Sequence, residues 1–470
     1  MKNIFLYKLF AMALAALTLT GMGRAAEIRR PNIVFVLADQ WRAQATGYAG
    51  DPNVKTPYLD RLAAQGINFV NAVSCCPVCT PYRATLMTGQ YPTTHGLFIN
   101  DLHLADSAVT MGKLFSTAGY DTAYIGKWHL NGNGREKYIS SVHRQGFKYW
   151  KVLECTHDYN HSKYFDGDDP TPRYWQGYDA IAQTKDAQQY IRDHANSDRP
   201  FLMVLAWGPP HYPFSGAPIR YTKMYQRDKI ILPNNIPSRL RADAQAKACG
   251  YYAHCTALDD CMGELLKTLD DTKLADNTII VFTSDHGEML GSHDIKPSQK
   301  QAYWDESIRI PFLLRCPVVR SRKLTLPLNT PDILPTLLSL SGIEIPKLIE
   351  GTDYSALVHG GQEPSDAAAL IMSVSPFDVY AKSPEYRGIR TARYSYVRRL
   401  DGPWLLFDNQ TDPLQQTNLI NAAAYSSLQH QLNAQLAEKL KVIHDDFRPR
   451  EFYIKKWNYN DSLGPNGAVR

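Results

Sequence analysis

The sequence predicts an α/β protein with a doubly wound, largely parallel sheet flanked by helices, followed by a small antiparallel sheet and a helix. Continuous apolar runs, typical of strands buried on both faces of a parallel sheet, recur between amphipathic helical segments. Toward the carboxyl end these runs give way to short alternating segments, which favour hairpin strands. A chain of 470 residues can form one large and one small domain.

Residues 1–25 have the features of a secretory signal peptide. Lys2 and Lys8 precede an apolar run from Leu9 to Leu19, and small residues follow at Gly23 and Ala25. The run is shorter than the roughly 20 residues that a membrane-spanning helix needs, so we expect no stable membrane anchor. We therefore predict a chain exported to the periplasm or secreted, with a large domain at residues 26–374 and a small subdomain at residues 375–470.

The charge balance argues against a nucleic-acid partner. Loss of Lys2, Lys8 and Arg24 with the signal peptide lowers Lys plus Arg from 51 to 48, against 46 Asp plus Glu, and leaves a net charge of +2. Such a protein can still bind an anionic substrate if its cations are gathered in one pocket. The eight cysteines permit disulfides in an exported chain, but their spacing assigns no pairing.

The amino-terminal half starts the α/β alternation. Pro31 to Leu37 is a continuous apolar run and predicts a buried strand. A helix is predicted from Thr56 to Gln65, with Thr56 as its cap, and another opens near Pro81, which suits a first helical turn. Ala105 to Ala118 predicts a further helix, and Ala123 to Gly126 a short buried strand.

The middle of the chain interrupts this alternation and then resumes it. Residues 131–180 show no clear period and are predicted to form loops. Beyond them the pattern predicts helices at Ile181 to His194 and Tyr251 to Leu269, and strands at Phe201 to Ala206 and Thr278 to Phe282.

The carboxyl-terminal part has a different pattern. Arg390 to Arg398 and Trp404 to Phe407 alternate as hairpin strands do, and Asp412 with Pro413 marks a turn. Ala422 to His444 is long and amphipathic. These features predict the small antiparallel sheet and its helix.

Polar side chains follow several predicted strands where they end. Because ligand sites of parallel α/β sheets lie beyond the carboxyl ends of the strands, these side chains are candidates for one site. They are Asp39 and Gln40, Lys127 and His129, His211, and Asp285 with His286.

Two motifs carry a resemblance to a known family. Cys79 to Arg83 reads Cys-Thr-Pro-Tyr-Arg, which fits Cys-x-Pro-x-Arg, and Gly119 to His129 reads GYDTAYIGKWH. In this order they resemble the two signatures of the formylglycine-dependent type I sulfatases of the alkaline phosphatase-like superfamily. The resemblance implies that the large domain is catalytic and hydrolyses sulfate esters.

The resemblance also implies roles for individual residues. Cys79 would be oxidised to Cα-formylglycine by a formylglycine-generating or sulfatase-maturing enzyme that acts on the unfolded chain. Its hydrate offers one hydroxyl that attacks sulfur and another that expels the sulfate as the aldehyde re-forms. Arg83 would hold the hydrate, and His129 would accept its proton. Lys127 and Lys300 would contact sulfate oxygens, and His211 would protonate the departing sugar oxygen.

A divalent cation is implied in the same way. Asp39, Gln40, Asp285 and His286 resemble the family's metal ligands, with the modified Cys79 as a further one. The family's usual ion is Ca²⁺, with Mg²⁺ as the alternative, since both prefer oxygen ligands. Here Gln40 and His286 are neutral, and His is a poor calcium ligand. The identity of the cation is therefore left open.

The expected substrate is a sulfated polysaccharide or oligosaccharide. The aromatic and polar stretch from Trp150 to Trp175 suits sugar stacking and hydroxyl recognition. Two alternatives stay open at this point. One is a formylglycine-dependent phosphonate or phosphodiester hydrolase, and the other is a non-catalytic protein that keeps its Cys79 thiol and binds sulfated glycans.

Overall fold

The computed structural model describes residues 30–376 and 384–459, so the predicted signal peptide lies outside the described residues. Within these ranges it contains two sheets, one of ten strands and one of four. The strands are β1 Asn32–Asp39, β2 Ile67–Phe69, β3 Asp121–Lys127, β4 Tyr149–Leu153, β5 Lys163–Asp166, β6 Asp169–Tyr174, β7 Phe201–Pro210, β8 Thr278–Ser284, β9 Phe312–Arg315, β10 Arg322–Leu324, β11 Ala368–Ser373, β12 Tyr386–Thr391, β13 Tyr394–Arg399 and β14 Gly402–Asp408.

The helices flank the large sheet and cover one face of the small one. They are α1 Pro57–Gln65, α2 Cys79–Thr88, α3 Pro92–His95, α4 Met111–Thr117, α5 Asp179–Asp193, α6 Ile219–Thr222, α7 Ser238–Asp271, α8 Asp305–Ile308, α9 Ile333–Leu340, α10 Ser355–Val358, α11 Ser426–Val442 and α12 Arg450–Lys456.

The large sheet confirms the predicted fold class. Its order is β10-β2-β9-β8-β1-β7-β3-β4-β5-β6, and the five neighbours from β8 to β4 are parallel. Strand β1 is buried along its whole length, and its side chains alternate between two cores. Ile33 and Phe35 join the core that contains α2 and α9, whereas Val34 and Val36 join the core that contains α7. Burial on both faces explains the continuous apolar runs of the sequence.

Several helices differ in length from the prediction. Helix α7 begins at Ser238, well before the predicted Tyr251. The sequence pattern did not reveal its first turns because they are only partly buried and carry few apolar residues. Helix α4 begins at Met111 rather than at Ala105. Element type was therefore easier to predict than element bounds.

The prediction of loops over residues 131–180 was wrong in part, because three strands lie within this range. Strands β4, β5 and β6 extend the large sheet there, with β4 parallel to β3 and the other two antiparallel. Trp150 packs edge-on against Trp128 in the core, and Trp175 is buried and stacks on Tyr164. These two tryptophans hold the added strands in place and are not exposed for sugar stacking.

The small sheet is antiparallel, in the order β11-β12-β13-β14, and α11 packs against it. The predicted strand from Arg390 to Arg398 turns out to span the turn between β12 and β13. Strand β11 precedes residue 375, where we predicted the subdomain to begin, and pairs with β12. The boundary at residue 375 stays a prediction.

Two further structural facts concern membrane-spanning helices and cysteines. None of the described helices is long and apolar enough to cross a membrane. All eight cysteines lie within the described ranges and are free thiols.

Candidate active site

The predicted site residues converge at the carboxyl ends of four adjacent strands. Asp39 is the last residue of β1 and Lys127 the last of β3. Asp285 and His286 follow β8 directly, and His211 follows β7. Because β8, β1, β7 and β3 are parallel neighbours, their ends deliver these side chains to one edge of the sheet.

Cys79 lies at the centre of this group. It is the first residue of α2 and is almost fully buried. Its Sγ lies 3.1 Å from Lys300 Nζ and 3.4 Å from His286 Nε2, and 3.8 Å from Asp39 Oδ1. The amino end of a helix favours negative charge, which adds to the effect of the lysine.

The backbone is strained at two of the predicted residues. Gln40 and His129 have φ values of 65° and 61°, a left-handed conformation that L-residues other than Gly adopt rarely. Gly126, just before Lys127, also has a positive φ, and a Cβ there would lie 2.1 Å from the Ala206 carbonyl oxygen. Such conformations cluster at functional sites, where the surrounding structure holds them.

Two buried carboxylates face each other across the site. Asp39 Oδ2 accepts hydrogen bonds from Lys127 Nζ at 2.6 Å and from Arg83 NH2 at 3.1 Å. The same guanidinium nitrogen lies 3.5 Å from Asp285 Oδ2. The Oδ1 atoms of the two carboxylates turn instead toward His286 Nε2, at 3.7 and 3.5 Å. Each carboxylate therefore has one oxygen held by cations and one directed at the common cluster.

The charges perturb the ionisation of this group. Burial acts to raise the pKa of Asp39, but the surrounding cations, led by Lys127, lower it well below its usual range. Burial and the charge of Asp39 raise the pKa of Asp285 above its usual range. Burial would also raise the pKa of the Cys79 thiol, but Lys127, Lys300 and His286 lower it well below its usual value.

The donor set fits a divalent cation. Ligand atoms of Asp39, Cys79, Asp285 and His286 all lie within 4.8 Å of one another, and all four residues are buried. Gln40 adds a buried Oε1 that has no hydrogen-bond partner among the described residues, while its Nε2 donates to Glu288 and to the Ser298 carbonyl. A buried oxygen without a partner is costly unless a ligand satisfies it.

Arg83 contacts both carboxylates of the cluster formed by Asp39, Cys79, Asp285 and His286. Its guanidinium donates to the two carboxylates and, at 2.8 Å, to the Lys127 carbonyl oxygen. Its Nε is buried without a partner in the described part of the chain. No direct bond to Cys79 accompanies these contacts, so its role toward the hydrate stays a prediction.

His129 is held by a residue that the sequence analysis did not identify. Its Nε2 lies 2.9 Å from Asp101 Oδ1, and Arg135 binds both oxygens of the same carboxylate. His129 Nδ1 is buried without a partner among the described residues. Burial acts to lower the pKa of His129, but Cys155 and the bond to Asp101 raise it to about 9.

His211 is in contact with Lys300. Lys300 Nζ lies 2.9 Å from His211 Nε2, and His211 Nδ1 lies 2.7 Å from the Tyr212 carbonyl oxygen. A carbonyl oxygen only accepts, so Nδ1 donates and Nε2 accepts from the ammonium. Burial and the charge of Lys300 lower the pKa of His211 to about 4. The exposed ring of His157 stacks on His211, with centroids 4.8 Å apart.

Sequence reasoning thus missed Asp101, Arg135, His157 and Glu288. Glu288 lies two residues after His286, so its proximity to the metal pair was visible in the sequence. Asp101, Arg135 and His157 lie in irregular segments that reach the site only through the fold. No spacing pattern could have found them.

Comparison with known proteins identifies the family. The family model "Sulfatase" matches residues 31–343, and "N-sulphoglucosamine sulphohydrolase, C-terminal" matches residues 295–442. An "Ulvan-active sulfatase" of Formosa agariphila is 49% identical over 436 residues, which cover 92% of this chain and 85% of that one. An "Endo-4-O-sulfatase" of Bacteroides thetaiotaomicron is 29% identical, with 90% and 94% covered.

A solved structure agrees with these matches. The candidate sulfatase yidJ of Bacteroides fragilis superposes with a TM-score of 0.82 at 31% identity, and the match covers 92% of this chain and 100% of that one. Fold, family model and relatives lead to the same result: the chain belongs to the sulfatase family and is a sulfuric ester hydrolase.

Proposed function

We propose that this sulfatase is exported and removes sulfate from a polysaccharide of the ulvan type, or from its oligosaccharides, after oxidation of Cys79 to formylglycine. The observation that carries the proposal is the convergence of Lys300, His286 and Asp39 on Cys79 Sγ, all within 3.8 Å, at the start of α2. These charged groups would bind and neutralise a sulfate group next to residue 79, where the formylglycine hydrate supplies the attacking oxygen.

Formylglycine supplies, as its hydrate, an oxygen nucleophile for sulfur and a route for releasing the sulfate when the aldehyde re-forms. A divalent cation, Ca²⁺ or Mg²⁺, held by Asp39, Gln40, Asp285, His286 and the modified residue 79, supplies positive charge for the sulfate oxygens. Sulfate binding and proton transfer are carried out by side chains of the protein itself. Lys127 and Lys300 flank residue 79 and bind the sulfate group.

The departing sugar oxygen needs a proton. His211 and Lys300 lie on the same side of Cys79, and Lys300 Nζ contacts both Cys79 Sγ and His211 Nε2. A sulfate ester that enters between them separates Lys300 from the neutral His211 ring, and the negative charge of the sulfate then favours protonation of His211 Nε2, which faces the ester oxygen. We assign proton donation to His211, with Lys300 beside it.

His129 handles the proton of the hydrate. Its Nδ1 has no partner among the described residues, and its Nε2 is fixed by Asp101. Because the Asp101 carboxylate favours the protonated ring, the fraction of His129 that is deprotonated at Nδ1 is the form that accepts the proton of the hydrate. Asp101 is therefore assigned to positioning His129 for this step.

The choice of an ulvan-type substrate rests on the relative from Formosa agariphila, which is named as ulvan-active. The mouth of the site is consistent with an anionic glycan. Arg135 is exposed there beside the buried lysines, whereas His157, whose pKa is lowered to about 3 by burial first of all, is neutral. Cations that surround a buried sulfate site attract a polyanionic chain and orient its sulfate inward.

Release of inorganic sulfate from defined fragments tests the substrate. Ulvan oligosaccharides are compared with glycosaminoglycan and carrageenan fragments, and a phosphate diester is the control for the alternative chemistry. We expect the fastest release from the ulvan fragments. Faster turnover of the phosphate diester than of every sulfate ester would overturn the proposal.

A peptide mass spectrum tests the modification. Protein from its natural host is denatured, alkylated and digested, and the peptide that contains Cys79 is examined. We expect the mass of an aldehyde in place of the alkylated thiol. A peptide that is alkylated throughout would contradict the proposed formylglycine.

A further inference from the structure

A second group of metal-binding side chains lies outside the candidate active site. His103, Asp106 and His143 bring one ligand atom each within 4.8 Å of the others. All three are partly exposed, in the segment that precedes α4 and in the helical turn at Ser141–His143. Neither motif of the sequence includes them.

The hydrogen bonds of His103 indicate which of its ring nitrogens can bind a metal ion. His103 Nδ1 lies 3.1 Å from the Asn131 carbonyl oxygen, so Nδ1 donates and Nε2 keeps its lone pair in the neutral ring. That Nε2 faces Asp106 Oδ1 at 3.4 Å. A lone pair and a carboxylate oxygen repel each other unless a proton or a metal ion lies between them. Metal-binding histidines commonly donate their other nitrogen to a backbone carbonyl in this way.

The distances also fit a small cation. Asp106 Oδ1 lies 3.4 Å from His103 Nε2 and accepts a hydrogen bond of 2.8 Å from His143 Nδ1, whose proton a bound metal ion would displace. Ligands bound tetrahedrally to zinc at about 2.0–2.1 Å lie roughly 3.3 Å apart. The two rings meet edge to face, with centroids 5.0 Å apart, and the three residues are partly exposed, so water can reach the group.

We propose that His103, Asp106 and His143 form a surface site for a divalent transition metal, with Zn²⁺ as the ion of choice. Two imidazoles and one carboxylate select zinc over calcium, because calcium prefers oxygen ligands. Lys113 lies nearby and bonds to the backbone oxygens of Asp106 and Ala108, so its charge lowers the affinity without blocking the ligand atoms.

The site ties two segments together next to the catalytic residues. His103 lies two residues after Asp101, which holds His129, and its ring is anchored on the Asn131 carbonyl. Bound zinc would fix the segment from residue 101 to residue 106 against the turn at residue 143. The expected consequence is slower amide exchange in that segment when zinc is present.

Zinc titration of the calcium-saturated, full-length protein tests the site. We expect the wild type to bind one more Zn²⁺ per chain than either His143→Ala or Asp106→Asn. The number of Zn²⁺ ions bound is compared between wild type and variant because zinc can also enter the active-site cluster. That cluster is the same in all of these proteins, so its contribution cancels. His430→Ala, an exposed histidine on α11, is the matched control and should bind as the wild type does.

Thermal unfolding of each variant without zinc verifies that it is folded. Hydrogen exchange with and without zinc is the second measurement, and we expect protection of residues 101–106 in the wild type and in His430→Ala alone. Equal zinc binding by the wild type, His143→Ala and Asp106→Asn would overturn the proposal. Equal protection of the segment in all four proteins would do the same.

Discussion

The active-site edge of the large sheet and the small sheet both bury charged side chains, but they arrange them differently. Each of the two buried arginines of the small sheet binds a carboxylate, one of which also contacts Arg309 at 3.4 Å. Arg390 binds both oxygens of Asp305 at 3.1 Å, and Arg387 binds Asp445, which Tyr453 also contacts. A buried charge with a well-placed partner is stable within the fold.

At the active-site edge the charges are not paired off. Asp39 and Asp285 share the guanidinium of Arg83, and Lys127 and Lys300 converge with them around Cys79. Polar atoms there also stay unsatisfied among the described residues, namely Gln40 Oε1, Arg83 Nε and His129 Nδ1. Buried ion pairs alone therefore do not mark a functional site. Arg309 Nε and Arg398 Nε beside the small sheet also lack a partner among the described residues, so what distinguishes the active-site edge is that several charges converge on one side chain, Cys79.

The largest expected effect comes from removing the residue on which the charges converge. Cys79→Ala should abolish sulfate ester hydrolysis, because no oxygen nucleophile can be made at that position. The fold should persist, since the side chain is small and its neighbours are mostly polar. Sulfate release and thermal unfolding measure the two properties.

Cys76→Ala is the matched control for this substitution. Cys76 is also fully buried and near the start of α2, but it lies in the apolar core. Burial, first of all, raises the pKa of its thiol well above the usual value. We expect retained activity with a small loss of stability. If Cys76 proved essential and Cys79 dispensable, the assignment of the nucleophile would fail.

The next effect concerns the two carboxylates that face the cation. Asp39→Asn should remove activity, because it takes away the negative charge that balances Lys127 and the divalent ion. Exhaustive chelation should have the same effect on the wild type, with recovery on addition of Ca²⁺ or Mg²⁺. Activity assays and metal analysis of the same samples measure this.

Asp186→Asn is the control, since Asp186 is a carboxylate that pairs with a lysine away from the site. It should leave turnover unchanged. Full activity in protein shown to be free of metal would rule out the proposed cation.

A smaller and selective effect is expected at His211. A sugar alkoxide is a strong base and needs a proton to leave, and a positioned acid contributes about a hundred- to ten-thousand-fold. A nitrophenolate leaves without that proton. His211→Ala should therefore slow hydrolysis of a sugar sulfate far more than that of nitrophenyl sulfate.

Lys127→Ala provides the contrast, because Lys127 binds the sulfate that both substrates share. It should slow both reactions alike. Rates with the two substrates are compared for each variant. Equal losses in His211→Ala would leave His211 with a binding role and no part in proton donation.

The parallel centre of the fold could be predicted well from the sequence. Strands β1, β7 and β8 are buried on both faces, and each is therefore a continuous apolar run. The added strands β5 and β6 escaped prediction because they are short, lie at an edge and contain many polar residues. Propensity there is weak, and pairing with β4 decides the conformation.

The candidate site divides in the same way. Residues at strand ends, such as Asp39 and Asp285, could be predicted because the α/β fold itself brings strand ends together. Asp101 and His157 could not, since only the tertiary path of irregular segments carries them to the site. The ion pairs of the small sheet could not be predicted either, because no sequence pattern near Arg387 indicates that Asp445 is its partner.

The smallest expected change in activity, and the largest in stability, comes from breaking a pair in the small sheet. Arg387→Met leaves Asp445 buried without its cation, which typically costs about 3–5 kcal/mol of unfolding free energy. Burial acts to raise the pKa of Asp445, and Arg387 is what holds it below its usual value. Chemical denaturation followed by fluorescence measures the loss, and turnover by the fraction that stays folded should be close to that of the wild type.

The double variant Arg387→Met with Asp445→Leu makes this comparison decisive. Replacing both partners by apolar side chains removes the unpaired charge, so much of the lost stability should return. No such rescue is expected when Lys127→Met is combined with Asp39→Leu, because that pair serves the substrate and the cation as well as the fold. Recovery of activity in the latter double variant would show that the charges around Cys79 are structural pairs like those of the small sheet.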